Sequence, residues 1–198
     1  MLLESLFTDP VYVARFVVII ILSISLHELG HGAAALYQGD DTPRITGHMT
    51  MNPVIHMGWH SLIMLCLVGM AWGQMPVQPR NFRDGSAGRI MVSAAGPMTN
   101  FVIAIVSIIA VNLIVAQPGS FLSPNFFYMA AHINLGLGVF NLIPIPPLDG
   151  FTVFSEFFPS FKCIKDHPGS SAIFVILFVT GGFKGIWMLS DLVLGALT

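Results

Sequence analysis

The sequence predicts an all-α, polytopic membrane protein: a bundle of about four spanning helices, a short re-entrant or shallow helix and a small β-hairpin. Three observations lead there. Apolar residues make up 55% of the 198 residues and charged residues only 9%, against about 25% charged in an ordinary soluble domain. Apolar stretches long enough to cross a bilayer recur along the chain. The stretches are punctuated by clusters of proline and glycine, such as Pro144-Ile145-Pro146-Pro147. Eighteen charged side chains with a net charge of −2 cannot solubilise the surface, and they leave no basic footprint for nucleic acid. Soluble enzymes, nucleic-acid binders and disordered regulators are therefore excluded. The length suits one membrane-embedded domain over residues 1–198.

The first predicted span covers 11–37, greasiest over 16–26. Residues 1–10 carry Glu4 and Asp9 and no Lys or Arg, so they lack the positive start of a cleaved signal peptide, and the segment reads as retained. Residues 42–54 mix Thr, Ile and Val with Gly47 and two prolines, the composition of a short hairpin. The apolar stretch 59–72 is short for a span and reads as the re-entrant or shallow element. Segments 89–116, 125–143 and 171–196 complete the bundle, the last interrupted around Gly181-Gly182. No internal repeat supports an inverted-repeat transporter.

Basic residues set the expected orientation. Arg44, Arg80, Arg83, Arg89, Lys162 and Lys165 fall on one side if the N-terminus lies outside, and the loop 117–124 on the other side carries no charge. Both flanks of 59–72 then face the cytoplasm. Arg15, near the outer end of the first span, is the exception. The expected location is a bacterial cytoplasmic membrane, with the polar cluster nearer the cytoplasmic face.

That cluster is His27-Glu28-Leu29-Gly30-His31. On a helix, positions i and i+4 share a face, so two imidazoles can grip one Zn²⁺ while the adjacent Glu activates water. This composition yields the pattern by chance about 0.004 times per chain. It also sits deep in an apolar helix, where ionisable groups are costly and mark function. A catalytic zinc takes a third protein ligand. The best candidate is Asp149 in Asn141-Leu-Ile-Pro-Ile-Pro-Pro-Leu-Asp149-Gly150, where three prolines bar a regular helix and an unwound backbone must line protein or a wet cavity. A plain helix-cap aspartate is the alternative there.

Together, His27–His31, Gly96-Pro97-Met98-Thr99-Asn100 and 141–150 resemble, in order, the motifs of the site-2 protease family of intramembrane zinc metalloproteases. The resemblance implies that His27, His31 and Asp149 bind one zinc ion per chain and that Glu28 is the general base. It implies that Asn141 positions substrate or holds the oxyanion, and that Gly96 and Asn100 allow close helix packing and contact substrate. The family often continues Asp-Gly-Gly-Arg where this chain has Asp149-Gly150-Phe151-Thr152. Without room for a PDZ-like insertion, the chain resembles the minimal members, in which Asn52-Pro53-Val54-Ile55-His56 and 76–83 also have counterparts.

The implied function is cleavage of a transmembrane segment of another membrane protein, unwound and added as a strand to the edge of the 42–54 hairpin. The rival is a non-proteolytic metal-binding membrane protein or divalent-cation transporter. His56 could fold back as a gate or extra ligand, or simply hydrogen-bond within its loop. His132 is out of phase with Asn141 and is expected to face away from the site. His48, His60 and His167 read as loop or interface residues, and Cys66 and Cys163 as unpaired.

Overall fold

The computed structural model describes residues 2–113, 120–165, 169–182 and 184–197. His167 and residues 117–119 of the uncharged loop lie outside them. A lead helix α1 (Leu2–Thr8) precedes α2 (Pro10–Tyr37). Asp9 starts α2 by accepting a 2.9 Å hydrogen bond from the Tyr12 backbone N–H, and Pro10 occupies a first-turn position whose missing N–H costs nothing. At 1.5 Å per residue α2 is about 42 Å long, enough for a hydrocarbon core of about 30 Å.

After one turn of helix, α3 (Thr42–Ile45), comes α4 (Pro53–Val68), which is broken at Gly58 (φ 67°) and ends at the left-handed Gly69. Residues 70–78 then run without helix or ladder partner to a 3₁₀ turn at Pro79–Asn81. α5 (Gly85–Leu113) is the second long apolar helix, and α6 (Pro124–Asn141) packs along it. Beyond the proline-rich turn lie α7 (Asp149–Phe157), a 3₁₀ turn at Pro159–Phe161, α8 (Lys162–Lys165), α9 (Ser170–Val179) and α10 (Lys184–Leu197). Ile19, Ile20 and Ile24 of α2 pack on Met57 and Leu65 of α4 and on Phe126, Ala130 and Ile133 of α6. A second cluster joins Ala34 and Ala35 to Phe82 and to Val92 of α5.

Two expectations are corrected. No strand occurs among the described residues, so the hairpin over 42–54 is absent. Pro43 sits in the first turn of α3, whose backbone closes helically, with the Arg44 and Ile45 N–H groups donating to Asp41 O and Thr46 to Thr42 O. Buried Asp40 anchors this connection by accepting from Thr42, from the Gln78 N–H and from Asn81 Nδ2. Burial alone would raise the Asp40 pKa, but those hydrogen bonds outweigh it and hold the carboxyl below its usual range.

Nor are there four spans among the described residues. Among the described residues two helices, α2 and α5, are long and apolar enough to cross a membrane. α6 has 18 residues, and Asn125, His132, Asn134 and Asn141 dilute its apolar character. The segment 171–196 is split into α9 and α10 by a turn at Gly181 (φ 74°), leaving each half short of the roughly 20 residues a span needs. α4, at 16 residues, is also too short. Arg15, the exception to the charge pattern, donates to Phe121 O and Ser120 O at 3.0 and 2.8 Å and stacks over the Phe121 ring. It ties α2 to the approach to α6.

Candidate metal centre

His27, Glu28 and His31 are buried on α2, and helical spacing turns both imidazoles to one side, with ring centroids 4.7 Å apart. α6 ends at Asn141, where Pro144, Pro146 and Pro147 withhold the donors a helix needs. The chain turns through a cis Pro146–Pro147 bond and restarts as α7 with Asp149 in its first turn. This turn brings Asp149 to the two histidines. Its Oδ2 lies 3.2 Å from His27 Nε2 and 3.3 Å from His31 Nε2, and the two Nε2 atoms are 3.0 Å apart.

Each imidazole is fixed from behind. His31 Nδ1 donates to the Val92 backbone oxygen at 2.7 Å, and His27 Nδ1 donates to Asn100 Oδ1 at 2.6 Å. With the protons on Nδ1, both Nε2 atoms are bare acceptors facing a carboxylate oxygen. Three lone-pair donors so close repel one another unless a cation lies between them. Zinc bonds of 2.0–2.1 Å in a tetrahedron set ligand atoms about 3.3 Å apart. The observed triangle fits, and the donor set of two nitrogens and one carboxylate oxygen suits zinc. His27, His31 and Asp149 form the one group of metal-ligating side chains found among the described residues.

Two glycines let the backbone come this close. A Cβ on Gly96 of α5 would collide with the Nε2 atoms of both His27 and His31. A Cβ on Gly73, in the extended segment, would lie 2.5 Å from Glu28 Oε1 and 2.7 Å from Ile24 Cγ2. The extended segment therefore crosses directly over Glu28. It is pinned at Trp72, whose N–H donates to Ser61 Oγ at 2.8 Å while Ser61 donates back to Trp72 O at 2.7 Å. It is pinned again where Gln74 N–H donates to His56 O at 2.9 Å. The backbone groups of Gly73, Met75 and Val77 have no hydrogen-bond partner among the described residues.

The centre opens into a cleft of about 1760 Å³ lined by Glu28, the extended segment, Asn141 and Asp149. Asn141 donates one amide N–H to Leu137 O at 3.0 Å. Near the rim, Arg89 grips Glu156 of α7 through Nε and Nη2 at 2.6 and 2.8 Å, and Lys162 Nζ adds a 2.8 Å contact. The Arg89 bonds are the main reason Glu156 is held at about pKa 2; burial opposes them and Lys162 assists. This clamp ties α7, and hence Asp149, to α5, in a chain that lacks arginine after its Asp-Gly.

The remaining candidates sit apart. Asn100 is fully buried against His27, at the inner wall of the cleft. His56 is buried with Nε2 at 2.6 Å from Thr50 O and is not in the ligand group. His132 turns to α10, 2.9 Å from Asp191 and stacked on Trp187. Cys66 and Cys163 are free and exposed. Sequence reasoning missed Gly73, the Glu156 clamp and Asn134. Only Asn134 carried a signal: an amide in the middle of its helical segment, seven residues before Asn141 and so on nearly the same face.

The sequence pattern of peptidase family M50 matches residues 15–120 and 115–181. The chain is 32% identical over 174 residues to the Bacillus subtilis protein named "Putative zinc metalloprotease YwhC", covering 83% of this chain and 80% of that one. It is 29% identical over 149 residues to "Putative zinc metalloprotease Rip2" of Mycobacterium tuberculosis, covering 71% of this chain and 57% of Rip2. No solved structure matches. The family pattern spans most of the chain, and the chain therefore belongs to peptidase family M50, the site-2 protease family, as a membrane-embedded zinc metalloprotease.

Proposed function

We propose that this chain is an intramembrane endopeptidase that cleaves membrane-embedded segments of other proteins. The observation that carries this reading is the triangle of bare acceptors on His27, His31 and Asp149, set beside buried Glu28 on a helix long enough to span. His27 and His31 through Nε2, and Asp149 through Oδ2, would hold one zinc ion per chain. When bound, zinc supplies a Lewis acid and acidifies water at neutral pH.

Glu28 Oε1 takes the proton of the attacking water and passes it to the leaving amine. Asn141, with one amide N–H engaged by Leu137 and the other free to point into the cleft, orients the scissile carbonyl. A helical substrate hides its carbonyls in its own hydrogen bonds, so it must unwind. The unpaired backbone of Gly73, Met75 and Val77 offers an edge for the unwound stretch directly above Glu28. On this reading the chain crosses the membrane through α2 and α5, and the basic residues at 44, 80 and 83 support a cytoplasmic position for the end of α2 and the start of α5.

The test uses purified full-length protein and a transmembrane reporter in liposomes. Wild-type protein should carry about one zinc per chain, cut the reporter, lose cleavage on chelation and regain it with added zinc. Zinc-loaded protein that leaves every membrane-embedded reporter intact would favour a non-proteolytic metal-binding role.

A further inference from the structure

The two imidazoles are not oriented in the same way. His31 Nδ1 meets a backbone carbonyl, which can only accept, so its proton must be on Nδ1. His27 Nδ1 meets a side-chain amide, which could present either its oxygen or its NH₂. What decides that amide lies one helix further away.

Asn100 Nδ2 donates to Asn134 Oδ1 at 2.9 Å, and Asn134 Nδ2 donates to Ala130 O and to Ser23 Oγ, each at 2.9 Å. Asn100 and Asn134 are 0% exposed, so no bulk water can replace either partner. The direction of the chain follows from its end. The Ala130 carbonyl cannot donate, so Asn134 must turn its NH₂ toward it and its oxygen toward Asn100. Asn100 must then answer with its NH₂, which leaves its oxygen for His27. An oxygen there requires the His27 proton on Nδ1. Ser23 stands one helical turn before His27, so the network closes into a ring across α2, α5 and α6.

We propose that Asn134 is a positioning residue for the zinc site: acting through Asn100, it holds the His27 proton on Nδ1 and keeps Nε2 free for the metal. The proposal rests on the assignment of His27 as a zinc ligand. An amide that only glued helices together would affect packing without selecting a tautomer.

The experiment records ¹⁵N-histidine spectra of the metal-free full chain in micelles, with His27 assigned from His27→Gln, and measures zinc affinity by chelator competition. Wild-type His27 should be protonated on Nδ1. In Asn134→Leu the Asn100 amide is free to turn, so an Nε2–H population should emerge and zinc binding should weaken 10- to 100-fold. Adding Asn100→Asp in that background should restore the Nδ1–H form and most of the affinity, because a carboxylate presents an acceptor whichever way it turns.

An Nε2–H His27 in the wild type would overturn the proposal, as would an Asn134→Leu protein with unchanged tautomer and affinity. A loss that Asn100→Asp does not recover would reduce Asn134 to helix packing. If Asn134→Leu does not fold, Asn134→Ser, too short to reach both partners, takes its place under the same criteria. Protein that binds zinc with Nδ1–H His27 but cleaves nothing would contradict the proteolytic function and support the relay. Wild-type protein that binds no zinc would remove both.

Discussion

Gly96 lies against His31 so closely that a single methyl group on Gly96 would overlap His31 Nε2. α5 cannot easily retreat, because Val92 and Asn100 on the same helix hold the two imidazoles from behind. Gly96→Ala should therefore weaken zinc binding at least about 10-fold, as loss of ligand orientation does. Chelator competition on monodisperse protein measures this. Wild-type affinity would mean that the α2–α5 contact can open by the width of a methyl group.

Gly73→Ala probes the other face. Its Cβ would press on Glu28 Oε1 and Cγ, and Glu28 is not one of the three residues of the ligand group. Zinc content should stay at the wild-type level, while reporter cleavage falls by about 10-fold or more as the base is displaced. Unchanged cleavage would show that the extended segment moves aside and that its position over Glu28 does not matter.

Much of this centre was legible in the sequence, and the illegible parts share a cause. His27, Glu28 and His31 were readable because helical spacing alone puts them on one face. Asp149 was readable because three prolines marked a break at the end of an apolar segment. The failures are matters of long-range contact. Residues 42–54 look strand-like by composition, but Asp40 draws Thr42, Gln78 and Asn81 onto one carboxylate and shapes the connection as a helical turn. The segment that does run extended, 70–78, shows no alternation, because Ser61 and His56 hold it rather than a partner strand. The count of four spans failed because the break seen at Gly181-Gly182 was not taken to divide 171–196 into two short helices, and the polar side chains of 125–143 were not weighed against its apolar content.

The clamp on α7 has a pH signature. The folded Glu156 pKa of about 2 lies below the usual value near 4.3, so the clamp stabilises fully above about pH 4.3 and loses its contribution as pH falls toward 2. Glu156→Gln should lower thermal stability at pH 7 by about 2 kcal/mol, or roughly 4–8 °C. At pH 3 the gap between variant and wild type should narrow. A gap independent of pH would mean that the Arg89 and Lys162 contacts contribute no net charge interaction.

Zinc binding separates from proton transfer most directly at Glu28. Glu28→Gln keeps the shape of the side chain and leaves His27, His31 and Asp149 untouched, so zinc content should match the wild type. Cleavage of a membrane-embedded reporter should fall by a factor of about 10² or more, the scale of general acid–base catalysis. Asp149→Asn should instead lose zinc and activity together. The decisive measurement is zinc content and cleavage rate on the same preparation of Glu28→Gln. Full zinc with cleavage reduced at least a hundredfold is the expected result; full zinc with wild-type cleavage would contradict the assignment of Glu28 as the base.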